Sequence, residues 1–231
     1  MNINITPVLC NEKNMQNYAY IVHSQKTNTT LIIDAAEANP IIKKLEELNL
    51  TPSHILTTHH HFDHVEGNSI LKEKYNLQII APIDEFDKVP SATLKSIDNT
   101  PIIINDITIT PIIAPGHTLG HMLYHIKDIN ALFTGDVLFN LCIGGLFEGT
   151  AQQMFSSLQK IKNLPADTII YPGHEYTRAC LSPNLLSLPN FDTYIQKMLS
   201  REQGNFIFST LKEELSFNPY LQASTLKDFI G

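Results

Sequence analysis

The chain has 231 residues, 43 % of them hydrophobic and 17 % charged, which allows a sizeable core and excludes an intrinsically disordered chain. The formal net charge is −7 and only two arginines occur, Arg178 and Arg201. Nucleic-acid binding needs clustered cations, so this balance argues against such a partner. No apolar run approaches the ~20 residues of a bilayer span. The N-terminus lacks a basic patch followed by an apolar stretch, so a cytoplasmic chain without a secretory leader or membrane anchor is expected. Three cysteines occur, Cys10, Cys142 and Cys180, with no CxxC pair. They predict three buried small hydrophobes and no disulfide.

Short β-branched runs separated by turn signals predict strands over 3–9, 18–23, 30–33, 54–57, 79–81, 101–104, 107–114, 122–126, 131–134 and 168–171. Between them lie helical patterns. Segment 39–48 puts Ile41, Ile42, Leu45 and Leu48 on one face, 67–75 is a weaker case, and 150–164 opens with Thr150 as a cap. After about residue 175 the strand pattern stops, and 191–201 and 209–215 read as helices. Alternating strands and helices point to a layered α/β fold with a small helical appendage at the C-terminus.

Four of the ten histidines fall in Thr58-His59-His60-His61-Phe62-Asp63-His64. Along an extended loop, alternation sends His59, His61 and Asp63 to one side and His60 to the other. His64 reaches the same centre if a helix begins there. Three imidazoles and a carboxylate so close together suit a borderline divalent ion, and burying them without one would be costly. Three later strands end the same way: in Pro115-Gly116-His117, in Gly135-Asp136 and in Pro172-Gly173-His174. Sites in open α/β sheets gather beyond strand carboxyl ends, so four such ends can converge on one spot. His23, His54, His60, His121 and His125 are left without a ligand role. Thr58 and Asp34 are candidates to orient the ligands from behind.

THHHFDH, PGHTLGH, FTGDVLF, FEGTAQQM and GHEYT resemble, in order and spacing, the motifs of the metallo-β-lactamase superfamily, and most closely those of glyoxalase II, the hydroxyacylglutathione hydrolases. The resemblance runs from the first strands to Asn218-Pro219. It implies a four-layer αββα sandwich with a catalytic part over 1–174 and a short helical substrate-binding segment over 175–231. It implies two divalent metal ions, with zinc favoured over iron or manganese. His59, His61 and His117 would hold one, Asp63, His64 and His174 the other, and Asp136 would bridge them. Asp63 and Asp136 would be the catalytic carboxylates. A hydroxide between the ions would attack the carbonyl of a glutathione thioester such as S-D-lactoylglutathione, giving a 2-hydroxy acid and glutathione. Phe147 and Tyr176 would contact that substrate, and the expected enzyme is a monomer.

The chain departs from the family at Gly145, where a basic residue usually meets a glutathione carboxylate, and Lys227 is the only basic residue after Asn218-Pro219. Two other readings stay open: hydrolysis of another small thioester, or a persulfide dioxygenase with a single iron. A β-lactamase of the superfamily would carry cysteine in place of Asp136, and a nuclease would want a basic surface.

Overall fold

A computed structural model describes residues 2–183, 185, 188–200 and 208–230. Among these residues, eleven strands form two sheets. The first, six-stranded, has the order β1 (Ile3–Cys10), β2 (Asn17–Ser24), β3 (Thr29–Ile33), β4 (His54–Leu56), β5 (Gln78–Pro82) and β6 (Leu94–Ser96). The second, five-stranded, has the order β11 (Ile169–Pro172), β10 (Ala131–Gly135), β9 (Met122–Ile126), β8 (Ile107–Ile113) and β7 (Ile102–Ile104). β1 to β3 pair antiparallel, whereas β3 to β6 pair parallel through helical crossovers. β6 was not anticipated from the sequence, because Leu94-Lys95-Ser96 lacks the apolar, β-branched content of the other strands.

Period-two alternation explains the layering. In β2, Tyr20 and Val22 face the second sheet and join Tyr124, Phe133 and Tyr171 in the inner core. Ala19 and Ile21 of the same strand face outward, onto Ile41 and Leu45 of α1 (Ala38–Leu48) and Leu71 of α3 (Asn68–Tyr75). The outer face of the second sheet, with Leu123, Leu132 and Ile170, is covered by Met154, Leu158 and Ile161 of α4 (Ala151–Lys162). Burying each such side chain contributes ~1.5–3 kcal/mol. The result is the expected αββα sandwich. α4 starts where the sequence placed it, since Thr150 and Gln153 form a reciprocal capping box.

The C-terminal helices are α5 (Phe191–Leu199), α6 (Leu211–Phe217), α7 (Pro219–Gln222) and α8 (Leu226–Ile230). The expected helix over 191–201 therefore ends at Leu199, with residue 201 outside the described residues. Leu211, Leu221 and Phe229 share the core of α4, so this region packs on the sandwich. The expectation of no disulfide is overturned. Cys142 and Cys180 are bonded with their Cα atoms 5.8 Å apart, while Cys10 is buried and free as expected. The two partners lie 38 residues apart in sequence, so no spacing motif could have announced the pairing.

Candidate metal centre

The ligand-type residues sit where strands of both sheets run out. β4 ends in the loop that carries His59 and His61. The short helix α2 (Phe62–Val65) then brings Asp63 and His64 inward. β8, β10 and β11 lead to His117, Asp136 and His174. Main-chain hydrogen bonds tie the two sheets together here, from Met122 N to the Thr58 carbonyl and from Tyr18 N to the Gly173 carbonyl, each 2.8 Å.

Two of the glycines before ligands have steric reasons. Gly135 adopts φ +47°, and a Cβ there would meet Thr58 Oγ1 at 2.6 Å and His121 Nε2 at 2.7 Å. A Cβ on Gly173 would collide with Asp136 Oδ1 and with His64 Cε1.

The seven side chains converge. Ligand-capable atoms of His59, His61 and His117 lie within 4.8 Å of one another, and so do those of Asp63, His64 and His174. Asp136 reaches both groups: its Oδ2 is 3.4 Å from His117 Nε2 and 3.3 Å from His174 Nε2.

Four histidines each donate Nδ1–H outward. His59 donates to Thr58 Oγ1 at 3.1 Å and His64 to Asp34 Oδ2 at 2.9 Å. His117 donates to the Gly145 carbonyl and His174 to the Met15 carbonyl, both at 2.8 Å. The Thr58 hydroxyl itself donates to Asp34 Oδ2, which leaves its oxygen free to accept from His59. With Nδ1 engaged outward, Nε2 is the ring nitrogen that each of the four turns toward the centre, where it can serve a metal once it carries no proton.

Two carboxylates facing one another among these ring nitrogens favour positive charge at the centre. His59 Nε2 and Asp136 Oδ1 are buried without hydrogen-bond partners. Burial holds His59 well below its usual pKa, so its lone pair stays available. Burial also pulls His174 down, but Asp136 and Asp63 outweigh it and push the imidazole up to about 9. Burial would raise Asp63, yet its hydrogen bond to His174, the charge of His64 and the amide of Asn17 bring it down to about 2. The pocket thus calls for cationic charge at its centre, and a borderline divalent ion fits this donor set.

The other residues singled out in the sequence lie around the seven. Asp34 accepts from the Thr58 amide (2.7 Å), the Thr58 hydroxyl (2.8 Å) and His64. The Tyr176 ring stacks on His174 at 4.6 Å, and Phe147, 73 % exposed, stands edge-on to His61 and His117 at 5.4 and 5.1 Å. His121 is buried and stacks on His59, and its Nε2 accepts the Asp136 amide proton at 3.1 Å, so it braces the centre without joining it. His23, His54 and His125 are not among the groups that could hold a metal.

The family model of the metallo-beta-lactamase superfamily matches residues 13–174. A hydroxyacylglutathione hydrolase of Pelagibacter ubique is 39 % identical over 92 % of this chain and 91 % of its own length. One of Mesorhizobium japonicum is also 39 % identical, over 96 % of this chain and 88 % of its own. The chain belongs to the hydroxyacylglutathione hydrolase family of the metallo-beta-lactamase superfamily. The crystal structure of ETHE1 from Myxococcus xanthus shares the fold, with a TM-score of 0.76, 22 % identity, and coverage of 98 % of this chain and 88 % of that one. All seven converging side chains of this hydroxyacylglutathione hydrolase family member lie inside the superfamily match, which ends on His174 itself.

Two residues of the centre went unnoticed in the sequence. Asn17, fully buried at the start of β2, donates its amide to the Asp63 carbonyl at 3.0 Å and to Asp63 Oδ2 at 2.9 Å. Glu85, also buried, accepts from the His60 amide (2.7 Å), His60 Nδ1 (2.9 Å), the Gly120 amide (3.1 Å) and the Thr118 hydroxyl. It therefore ties the loop of His59 and His61 to the loop of His117. His60, Glu85 and Glu148 also form a trio of ligand type. Both Glu85 oxygens are already engaged by those donors, so the trio acts as a tether. Glu85 follows the first motif by more than twenty residues in an unremarkable Asp-Glu-Phe stretch, so only the fold reveals it.

Beside the centre opens a cavity of about 470 Å³, lined among others by Phe139, Ile143, Gly145, Tyr176, Leu185 and Tyr220. No charged side chain lines it among the described residues.

Proposed function

We infer that the chain hydrolyses S-2-hydroxyacylglutathione thioesters, S-D-lactoylglutathione foremost, to the 2-hydroxy acid and glutathione. The observation that carries this reading is the set of four inward Nε2 atoms and two buried carboxylates, in a chain 39 % identical to hydroxyacylglutathione hydrolases along nine-tenths of its length. We assign one divalent ion to His59, His61 and His117, a second to Asp63, His64 and His174, and a bridging position to Asp136. Zinc suits the set best, and iron or manganese also fits.

Two such ions would supply a water of strongly lowered pKa and a Lewis acid for the thioester carbonyl. The protein's own contribution is positional. Asp34, Gly145, Met15 and Thr58 lock the imidazole tautomers, Asn17 orients Asp63, and His121 holds the Asp136 main chain. Phe147 and Tyr176 flank the centre as apolar walls for the acyl and thiol portions. A thiolate leaves readily, since its conjugate acid has a pKa near ~8.5, so no protein acid is required for it. Segment 175–231 would serve as the substrate-binding part, because Tyr176, Leu185 and Tyr220 line the adjoining cavity.

No helix among the described residues is long and apolar enough to cross a membrane. A monomer working in the cytoplasm, without nucleic acid, is the assembly proposed.

Steady-state hydrolysis of S-D-lactoylglutathione, with metal content measured on the same sample, tests this. Turnover with about two metals per chain is expected. A sample with two metals that leaves the thioester intact would overturn the substrate assignment.

A further inference from the structure

Cys142 and Cys180 have no part in the hydrolysis described above. They are bonded to each other, partly exposed, and both line the cavity beside the metal centre. The walls that they join reach the centre directly. On one side, the Gly145 carbonyl accepts His117 Nδ1–H at 2.8 Å. On the other, Tyr176 stacks on His174 at 4.6 Å. The remaining cysteine, Cys10, is buried elsewhere, and burial pushes its thiol up to about 12, which keeps it out of thiolate chemistry.

We propose that the Cys142–Cys180 pair is a thiol–disulfide exchange site within the substrate cavity, opened by a small-molecule thiol of the kind that thioester hydrolysis releases there. The source of the thiol rests on the proposed function, whereas the exchange chemistry does not.

The exchange balances in two steps. A small thiolate attacks one of the two Sγ atoms, a mixed disulfide forms, and the Cys142–Cys180 bond breaks. The displaced sulfur leaves as a thiolate and takes up a proton. A second small thiol then attacks the mixed disulfide. Two small thiols are thereby oxidised to their disulfide, and the protein disulfide is reduced to two thiols. Excess small disulfide drives the same steps backward.

The two walls come from stretches 38 residues apart in the chain, and this gives the exchange a consequence. Loop 139–142 is held from behind: Asn218 Nδ2 donates to the Phe139 and Cys142 carbonyls at 3.3 and 3.2 Å, and the Leu141 amide donates to Glu214 at 3.0 Å. The backbone around Cys180 bonds locally, from Cys180 N to the Tyr176 carbonyl and from Leu185 N to the Ser182 carbonyl. Cys180, Leu181 and Leu185 share an apolar cluster with Leu141, Phe191 and Tyr194. Opening the disulfide removes the covalent tie between the two walls and leaves apolar packing to hold them together. The imidazoles of the centre keep their own partners, so binding should suffer more than the chemical step.

The test equilibrates the metal-loaded protein in mixtures of glutathione and glutathione disulfide. Accessible thiols are trapped by alkylation under native conditions and read by mass. Two alkylated residues, Cys142 and Cys180, are expected in excess glutathione and none in excess glutathione disulfide. The reduced form should show a KM for S-D-lactoylglutathione at least threefold higher, with kcat within twofold. A Cys142→Ser/Cys180→Ser double variant should keep the reduced-form KM in both buffers. Two thiols that stay alkylatable in excess glutathione disulfide, or one KM for both redox forms, would overturn the proposal. Exchange without any turnover would support the exchange site and refute the proposed function. Turnover without exchange would do the reverse.

Discussion

Replacing Gly145 with lysine should tighten binding of glutathione thioesters without changing the chemical step. Gly145 lies on the exposed lip of a cavity whose lining carries no charged side chain among the described residues. Glutathione brings two carboxylates to that cavity. The backbone tolerates the change, because Gly145 does not occupy the left-handed region and a Cβ there would meet only the Phe147 ring, at 3.2 Å. That ring is 73 % exposed and can swing aside. The Gly145 carbonyl, which receives His117 Nδ1–H, is untouched by a change of side chain. A lysine paired with a carboxylate at a solvated lip contributes ~0.5–1.5 kcal/mol once screening is discounted. At ~1.4 kcal/mol per decade this lowers KM by about 2- to 10-fold. The assay compares KM for S-D-lactoylglutathione with KM for the lactoyl thioester of N-acetylcysteamine, which has no carboxylate. The gain should appear only with the first and fade with added salt. An equal gain with both substrates, or none with either, would refute the idea that a missing cation weakens the glutathione contacts.

Asp136→Ala should abolish hydrolysis and lower metal content while the far-ultraviolet circular dichroism stays native. Normal turnover with a full metal complement would remove Asp136 from the centre. Glu85→Gln puts an amide NH₂ among four donors and should weaken metal binding by ~10- to 100-fold, read by competition with a chelator. An unchanged affinity would reduce Glu85 to a packing residue. Asn17→Ala should selectively weaken the ion assigned to Asp63, His64 and His174, so metal titration would show one tight and one loosened site. Loading the stripped protein with zinc should raise Tm in proportion to the logarithm of free metal. Affinity should fall as pH is lowered, because a proton on Nε2 or on a carboxylate competes with the ion; pH-independent binding would argue against histidine ligation. Hydrolysis should proceed at the same rate without oxygen, and oxygen consumption would favour an iron dioxygenase instead.

What the sequence disclosed and what it hid divide along the range of the interactions. His59, His61, Asp63 and His64 are local: alternation in a loop followed by one helical turn places them, and both features are visible in six consecutive residues. The glycines before Asp136 and His174 stand out as strand-end residues beside a ligand, although the neighbours a Cβ at either would strike come from distant segments. The strands of the sandwich could be read from their β-branched periodicity, except β6, whose Leu94-Lys95-Ser96 becomes a strand only because β5 offers it an edge. Asn17 and Glu85 depend on contacts across 46 and 25 residues, and neither residue type stands out where it occurs.

The Cys142–Cys180 bond shows how composition can mislead. An odd cysteine count argued against any pairing, yet the count says nothing about distance. What brings the two sulfurs together is the return of the chain after His174, past the loop that follows Asp136, to build the cavity wall. The same return stacks Tyr176 on His174 and brings Leu185 into one apolar cluster with Leu141. Catalytic ligands answer to a metal's coordination chemistry, which restricts residue type and spacing tightly and therefore leaves a motif. A substrate wall answers only to shape and polarity, which many side chains satisfy. Gly145 and the cysteine pair both line the cavity beside the metal centre, so their proposed roles have to be read from the folded cavity even when the reaction type is already plain from the motifs.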